Sequence, residues 1–469
     1  MKWNSNSHKG LTRRQLLKYG LYGTTAVGMS PSLWLTGCSK ASPQKKTNVI
    51  FISIDTLRAD HLSCYGYKKQ TSPSIDKFAA QANLFKNAYT TMPTTLPAHL
   101  SLLTSLYPTQ LSVRRNGEKV SAEVTTLAEI LRSEGYDTAA FVSSYALNSR
   151  YGLNQGFQRY DDSLDTSNQR LASNTLSKAA AWLQKHKKKP FFMFVHLFDP
   201  HTPYYAPESF RKKFNAPDTK VPPVFGFVPD PQLFSKSVVH NIIDAYDAEI
   251  AYSDWAVGQI MLKLDRLGLY ESSIIVLLSD HGESLEELIT QYGYVFDHGE
   301  FLYKHQLHIP MLIRIPCLAP NSLPVYTDPV SIIDVMPTIL DALAIEHPSF
   351  MAGQSLMPVL RGEQLPNRFV FSERRIFQKI PKPFLAGDGY SIIDNNWHLI
   401  FSTHGGSELY DMQDDPHEFS NLQSNEEKIK FLKNNLLKWT KINRSLFGPS
   451  VLETNKEALE RLRSLGYTY

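Results

Sequence analysis

The 469-residue chain is predicted to be an α/β protein: a mostly parallel sheet sandwiched by helices, with a smaller C-terminal α+β subdomain. Three observations predict it. Apolar, β-branched runs without polar alternation recur along the chain, as in strands buried on both faces. Helical patterns separate these runs, which favours parallel pairing through crossovers. Several runs stop at an acid, and the carboxyl ends of parallel strands form the ligand crevice of such folds.

In order, "TNVIFISIDT" is the first strand and ends at Asp55. "YDTAAFVSS" is the second. The apolar part of "KPFFMFVHLFDPHTP" ends near Asp199, where prolines stop it. "SSIIVLLSDHGES" ends at Asp280, and "HIPMLIRI" is a fifth strand. The clearest helix carries Val239, Ile243, Tyr246, Ile250, Val257, Ile260, Leu264 and Leu267 at helical spacing, with Gly268 suited to its C-terminal cap. "RKKFNAPDTKVPPVFGFVPDPQLFSK" reads as a long excursion of the kind that covers a site. "KHKKKP" is a solvated surface cluster. From about Pro348 the strands shorten to "RFVFSE", "GYSIID" and "WHLIF", followed by two polar helices. There are no internal repeats.

Composition is that of a globular protein and excludes wholesale disorder. A net charge of +4 is too weak to argue for nucleic acid. The three cysteines, Cys38, Cys64 and Cys317, form no disulfide framework. "LTRRQLLKYG" carries a twin arginine, Arg13 and Arg14, ahead of a moderately apolar run too short and too interrupted for a membrane span. Residues 1–38 therefore read as a twin-arginine export signal ending in the lipobox-like "LTGC". Lipidation of Cys38 would tether the protein to a membrane, and residues 39–46 would be the polar tether. An uncleaved anchor, or an unlipidated cysteine beside an ordinary cleavage site, stays open. The expected location is the bacterial cell envelope, periplasmic or at the surface. No signal for oligomeric state is present.

Asp55, Asp280 and His281 offer carboxylate and imidazole donors at strand ends, a set that suits Mn or Zn, and Ca or Mg where oxygen dominates. "TTMPTTLPAHLSLLTSLYPTQ" places Thr95 two residues before Pro97, at the start of a helix. Two readings stand. Thr94 or Thr95 is an N-cap, or a hydroxyl at the helix N-terminus is a nucleophile activated by a nearby cation.

These blocks resemble the sulfatase family of the alkaline phosphatase superfamily. "NVIFISIDTLRADHLSCYGY" resembles its opening strand, and "TLPAHLSLLTSLYP" aligns on its Cys/Ser-x-Pro-x-Arg signature. "DPHTPY", "YDAEIAYSD", "SDHGESLEE", "DHGEFLYKHQLHIPMLIRIP" and "ELYDMQDDPHEFSNL" resemble later blocks in the usual order. The resemblance implies a catalytic domain over residues 47–346 and a C-terminal subdomain over 347–469. It implies Asp55, Asp280 and His281 as metal ligands for Ca, Mn or Zn. It puts Thr95 at the nucleophile position, with His99, His201 and His298 around an anionic ester substrate, a sulfated or phosphorylated small molecule, glycan or lipid. Position 95 holds Thr, which is not converted to formylglycine, so no formylglycine is expected. His99 stands for the signature Arg, Thr56 for a second acid, and "VSS" for a Gly-Lys; Lys304 is a candidate replacement for that lysine. The set is also similar to Thr-nucleophile phosphotransferases of the superfamily. Three functions follow: a sulfate- or phosphate-ester hydrolase, a phosphodiesterase or phosphotransferase acting on phosphorylated lipid or glycan, or a catalytically silent anion-binding relative. His61, His240, His305, His308, His398 and His404 are expected to be structural or at the surface.

Overall fold

A computed structural model describes residues 46–469 except 167, 223, 317, 319–324, 375–385 and 468–469. The export signal, Cys38, the tether up to residue 45 and Cys317 lie outside the described residues. The central strand is Asn48–Ile54, buried along its whole length. It pairs in parallel with Phe191–Leu197 on one side and Ser273–Ser279 on the other. Asp137–Phe141 and Arg159–Asp161 extend the sheet in parallel beyond Phe191–Leu197. On the opposite flank His308–Arg314 runs antiparallel between Ser273–Ser279 and Asn83–Tyr89. Two short strands, Val325–Tyr326 and Val330–Ser331, pair in parallel with Asn83–Tyr89 and complete nine strands.

Side chains alternate across this sheet, so the central strand feeds two cores. Val49 and Phe51 pack in one layer with Leu96, Leu100 and Leu103 of the helix Thr95–Thr104. Ile50, Ile52 and Ile54 pack in the other with Tyr246, Ile250, Val257 and Leu264 of the helix Lys236–Arg266. Of the predicted stripe on that helix, Ile243 and Leu267 are only partly buried. Gly268 follows the helix at φ +66°, as its cap requires.

The C-terminal part is an antiparallel meander of Val370–Glu373, Gly389–Asp394, Trp397–Ser402 and Gly406–Asp411. The fourth strand is one that the sequence pattern does not predict. The helix Glu426–Ile442 packs on this sheet, with Trp439 stacked on Phe371 at 4.6 Å. The last helix, Lys456–Ser464, returns to the first core layer through Ala458, Leu462 and Leu465. Its Arg461 guanidinium lies 3.7 Å from the Tyr145 ring centre. That helix delivers Tyr467 to the carboxyl edge of the main sheet, beside Thr95. Among the described residues no helix is long and apolar enough to cross a membrane.

Candidate active site

Parallel register builds the site. Ile54 pairs with Ser279, so the next residues, Asp55 and Asp280, leave the sheet side by side. Thr56, in the place of the family's second acid, adopts φ +53°. A β-branched residue in that region is strained by roughly 1–3 kcal/mol and needs outside support. The Tyr246 hydroxyl donates to the Thr56 carbonyl at 2.7 Å, and the Thr56 N–H donates to Asp280 Oδ1 at 3.3 Å.

Arg58 braces the two strand-end loops. Its Nη1 donates to the Glu283 carbonyl at 3.1 Å and to Glu287 Oε1 at 2.5 Å. Burial would raise Glu287, but the Arg58 charge outweighs it and holds the carboxyl down at about 2, against an ordinary 4.5. The folded value is the lower one, so this stabilisation is present above pH 4.5 and is lost as pH falls toward 2. The gap corresponds to up to about 3 kcal/mol. Glu287→Gln is expected to flatten the acid limb of stability over that window, read by urea unfolding at a series of pH values.

Three histidines have their tautomers set by backbone carbonyls. Nδ1–H of His281 donates to Gly282 O at 2.9 Å, that of His99 to Thr95 O at 2.7 Å, and that of His201 to Thr202 O at 2.7 Å. Each Nε2 is therefore a lone pair in the neutral ring. The His99 lone pair takes the Ser53 hydroxyl at 2.9 Å. The His281 lone pair faces Asp280 Oδ2 at 3.3 Å and Asp55 Oδ1 at 3.8 Å. Burial pushes His281 well below its ordinary range, His99 to about 3 and His201 to about 4, so all three are neutral near pH 7.

A lone pair aimed at two carboxylates is repulsive unless a cation lies between them. Both Asp55 oxygens and Asp280 Oδ2 are buried and accept no hydrogen bond. Burial raises both carboxyls, and Asp280 is raised further by the Asp55 charge. Ligand atoms of Asp55, Asp280 and His281 lie within 4.8 Å of one another. The two-oxygen, one-nitrogen donor set, its orphaned buried oxygens and the carbonyl-fixed imidazole fit a divalent cation. His196, absent from the sequence-based candidates, sits behind the ligands with Nε2 3.4 Å from Asp55 Oδ2. Its only sequence signal is a lone histidine in the apolar "FFMFVHLF".

Gly282 lets this loop close. A Cβ there would lie 2.1 Å from the His305 carbonyl oxygen, a rigid backbone atom. Gly282→Ala is expected to cost about 1–3 kcal/mol by overpacking and to weaken metal binding through His281, measured by denaturant unfolding and a metal titration.

Thr95 is the first residue of its helix, and Thr94 precedes it as the cap residue without a capping hydrogen bond from its side chain. Asn116 Oδ1 instead accepts from the Leu96 N–H at 2.8 Å. The Thr95 hydroxyl faces the site: Oγ1 is 3.4 Å from His281 Nε2 and 3.1 Å from the Tyr467 hydroxyl. His298 lies beside His281, ring centres 4.3 Å apart and planes tilted by 36°, and its Nδ1 is 3.1 Å from Glu283 Oε1. His201 and His298 rings meet edge to face at 5.0 Å. All seven predicted site residues thus converge. A second trio, Glu283, Asp297 and His298, also has ligand atoms within 4.8 Å of one another. The excursion packs nearby: Gly226–Phe227 pairs with Tyr294–Val295, just before Asp297. Two other candidates lie elsewhere. Asp199 accepts from the Ala172 N–H at 3.1 Å at a helix start, and Lys304 lines a separate cleft with Lys86, Asp60 and His308.

The sulfatase family profile matches residues 47–345, nearly the whole main sheet and its helices. The chain belongs to the sulfatase family. A second profile, N-sulphoglucosamine sulphohydrolase, C-terminal, matches residues 291–443 of this sulfatase. It is 25% identical over 411 residues to an ulvan-active sulfatase of Formosa agariphila, across 80% of this chain and 77% of that one. It is 24% identical over 434 residues to a delta 4,5-hexuronate-2-O-sulfatase of Bacteroides thetaiotaomicron, across 84% and 88%. Its fold matches the phosphonate monoester hydrolase of Agrobacterium radiobacter with a TM-score of 0.71 at 20% identity, covering 87% of this chain and all of that one. This sulfatase is accordingly a hydrolase acting on ester bonds.

Proposed function

We propose that this sulfatase cleaves sulfate- or phosphate-type esters with Thr95 as the nucleophile, with no formylglycine and with a divalent metal ion held by Asp55, Asp280 and His281. The observation that carries the reading is the Thr95 hydroxyl: on the first residue of its helix, it stands 3.4 Å from His281 Nε2 beside the orphaned carboxylates. Bound there, Ca, Mn or Zn supplies the Lewis-acid charge that lowers the hydroxyl pKa and offsets the negative charge of the transition state. Glu283 orients His298 through Nδ1, and His201 is held by the Thr202 carbonyl. One of these two imidazoles, having first taken up the proton released by the nucleophile, protonates the leaving oxygen. The closed, buried setting strengthens each of these interactions by excluding water.

The chemistry of threonine favours phosphorus. A formylglycine hydrate releases its sulfate by elimination, and a sulfo-threonine lacks that route. A phospho-threonine is open to attack by water or an alcohol. The names of the relatives point to sulfated glycans and sugars, so the substrate class is an anionic ester on a glycan, sugar or lipid. A twin-arginine signal and a lipidated Cys38 would place the enzyme in the bacterial cell envelope. The test is a panel of 4-nitrophenyl sulfate, 4-nitrophenyl phosphate, bis(4-nitrophenyl) phosphate and 4-nitrophenyl phenylphosphonate, with each metal, against Thr95→Ala. Turnover that survives in Thr95→Ala would overturn the reading.

A further inference from the structure

Tyr467 is buried in the site with 3% of its surface exposed. Its hydroxyl lies 3.1 Å from Thr95 Oγ1 and 3.3 Å from His201 Nε2. The direction of these two hydrogen bonds follows from His201. Its Nδ1–H is committed to the Thr202 carbonyl, so its Nε2 accepts, and the Tyr467 phenol donates to it. The phenol has one hydrogen. Toward Thr95 it therefore accepts, and the Thr95 O–H donates. The other acceptor near Oγ1, His281 Nε2, is farther away at 3.4 Å and also faces Asp280 and Asp55, whose cation it would help to hold.

We infer that Tyr467 is a catalytic residue that relays the proton of Thr95 to His201. The inference rests on Thr95 being the nucleophile. As Thr95 Oγ1 forms its bond to sulfur or phosphorus, its proton passes to the Tyr467 oxygen and the phenol proton passes to His201 Nε2. The imidazolium so formed returns that proton to the leaving oxygen, which departs with the electron pair of the broken ester bond. One proton leaves the nucleophile and one reaches the leaving group, and Tyr467 ends as it began. The packing of the last helix holds the phenol in place. Leu462 and Leu465 are buried in the main core, and Gly466, at φ +92°, turns the chain where any Cβ would lie 2.8 Å from the Phe225 ring.

Tyr467→Phe keeps the ring and removes the relay oxygen. In the full-length protein it is expected to lower kcat and kcat/KM together by about a hundredfold with unchanged KM, on whichever 4-nitrophenyl ester of the panel is turned over. Thermal unfolding should stay cooperative and fall only modestly, by the loss of two buried hydrogen bonds. Nitrogen-15 NMR of histidine-labelled protein should report His201 as the Nδ1–H tautomer, with its Nε2 signal moving in Tyr467→Phe. This readout needs no turnover. An Nε2–H tautomer of His201 overturns the relay. So does wild-type turnover in Tyr467→Phe while Thr95→Ala is dead, which leaves the nucleophile standing. A faster Tyr467→Phe also overturns it, and makes the tail a plug. Turnover surviving in Thr95→Ala fails the nucleophile instead.

Discussion

Thr95→Ala is expected to remove ester turnover by about five orders of magnitude or more, the scale seen when a covalent nucleophile is deleted. Thr95→Ser should retain turnover, because it keeps an oxygen on the same Cβ beside His281. Thr94→Ala should also retain it: the Thr94 hydroxyl is buried without a hydrogen bond, and Asn116 supplies the cap. The loss in Thr95→Ala is not a folding defect, since the helix start keeps its Leu96–Asn116 bond and its core leucines. Rapid quenching of the wild type followed by mass spectrometry should find the transferred group on the peptide containing Thr95. A group found on Thr94, or an undiminished rate in Thr95→Ala, would sink the assignment. Formylglycine at position 95 would appear in the same spectrum as a changed residue mass.

Metal removal has the second largest effect. The wild type in chelator should lose turnover and unfold at a lower temperature. Restoring Ca, Mn or Zn at a hundred times its Kd should return about 2.7 kcal/mol of stability. Asp280→Asn should lose that response. Its Oδ1 still accepts from the Thr56 and His281 N–H groups, while the new amide in place of Oδ2 can donate toward Asp55. Metal-free Asp280→Asn is therefore expected to be at least as stable as metal-free wild type, because a buried like charge is gone. Calorimetry of both proteins with and without metal reads this directly. An Asp280→Asn protein that gains as much from metal as the wild type would mean that the cation sits elsewhere.

The main elements were legible because their signals are local. A strand buried on both faces is continuously apolar, so Asn48–Ile54, Phe191–Leu197 and Ser273–Ser279 declare themselves, and so do the acids that end them. Gly406–Asp411 was not legible, because "GSELYD" is short, polar and half exposed, and it is a strand only through its pairing with Trp397–Ser402. At the site, Asp55, Asp280 and His281 could be named from strand ends and from family resemblance together. Lys304 could not be placed, since the family position gives no depth, and folding turns it to another cleft.

By itself the sequence determined the α/β class, the strand ends that carry the acids, and a threonine at the start of a helix. Those are properties of neighbouring residues, fixed by hydrophobic period and by side-chain chemistry. Only the tertiary structure decided which threonine faces the acids, which nitrogen of each of the three carbonyl-bonded histidines is a lone pair, and that His196, Glu283 and Tyr467 lie beside them. The reason is distance along the chain. Thr95 meets His281 across 186 residues and Tyr467 across 372. Contacts of that span are made by sheet register and core packing, and no local pattern encodes them.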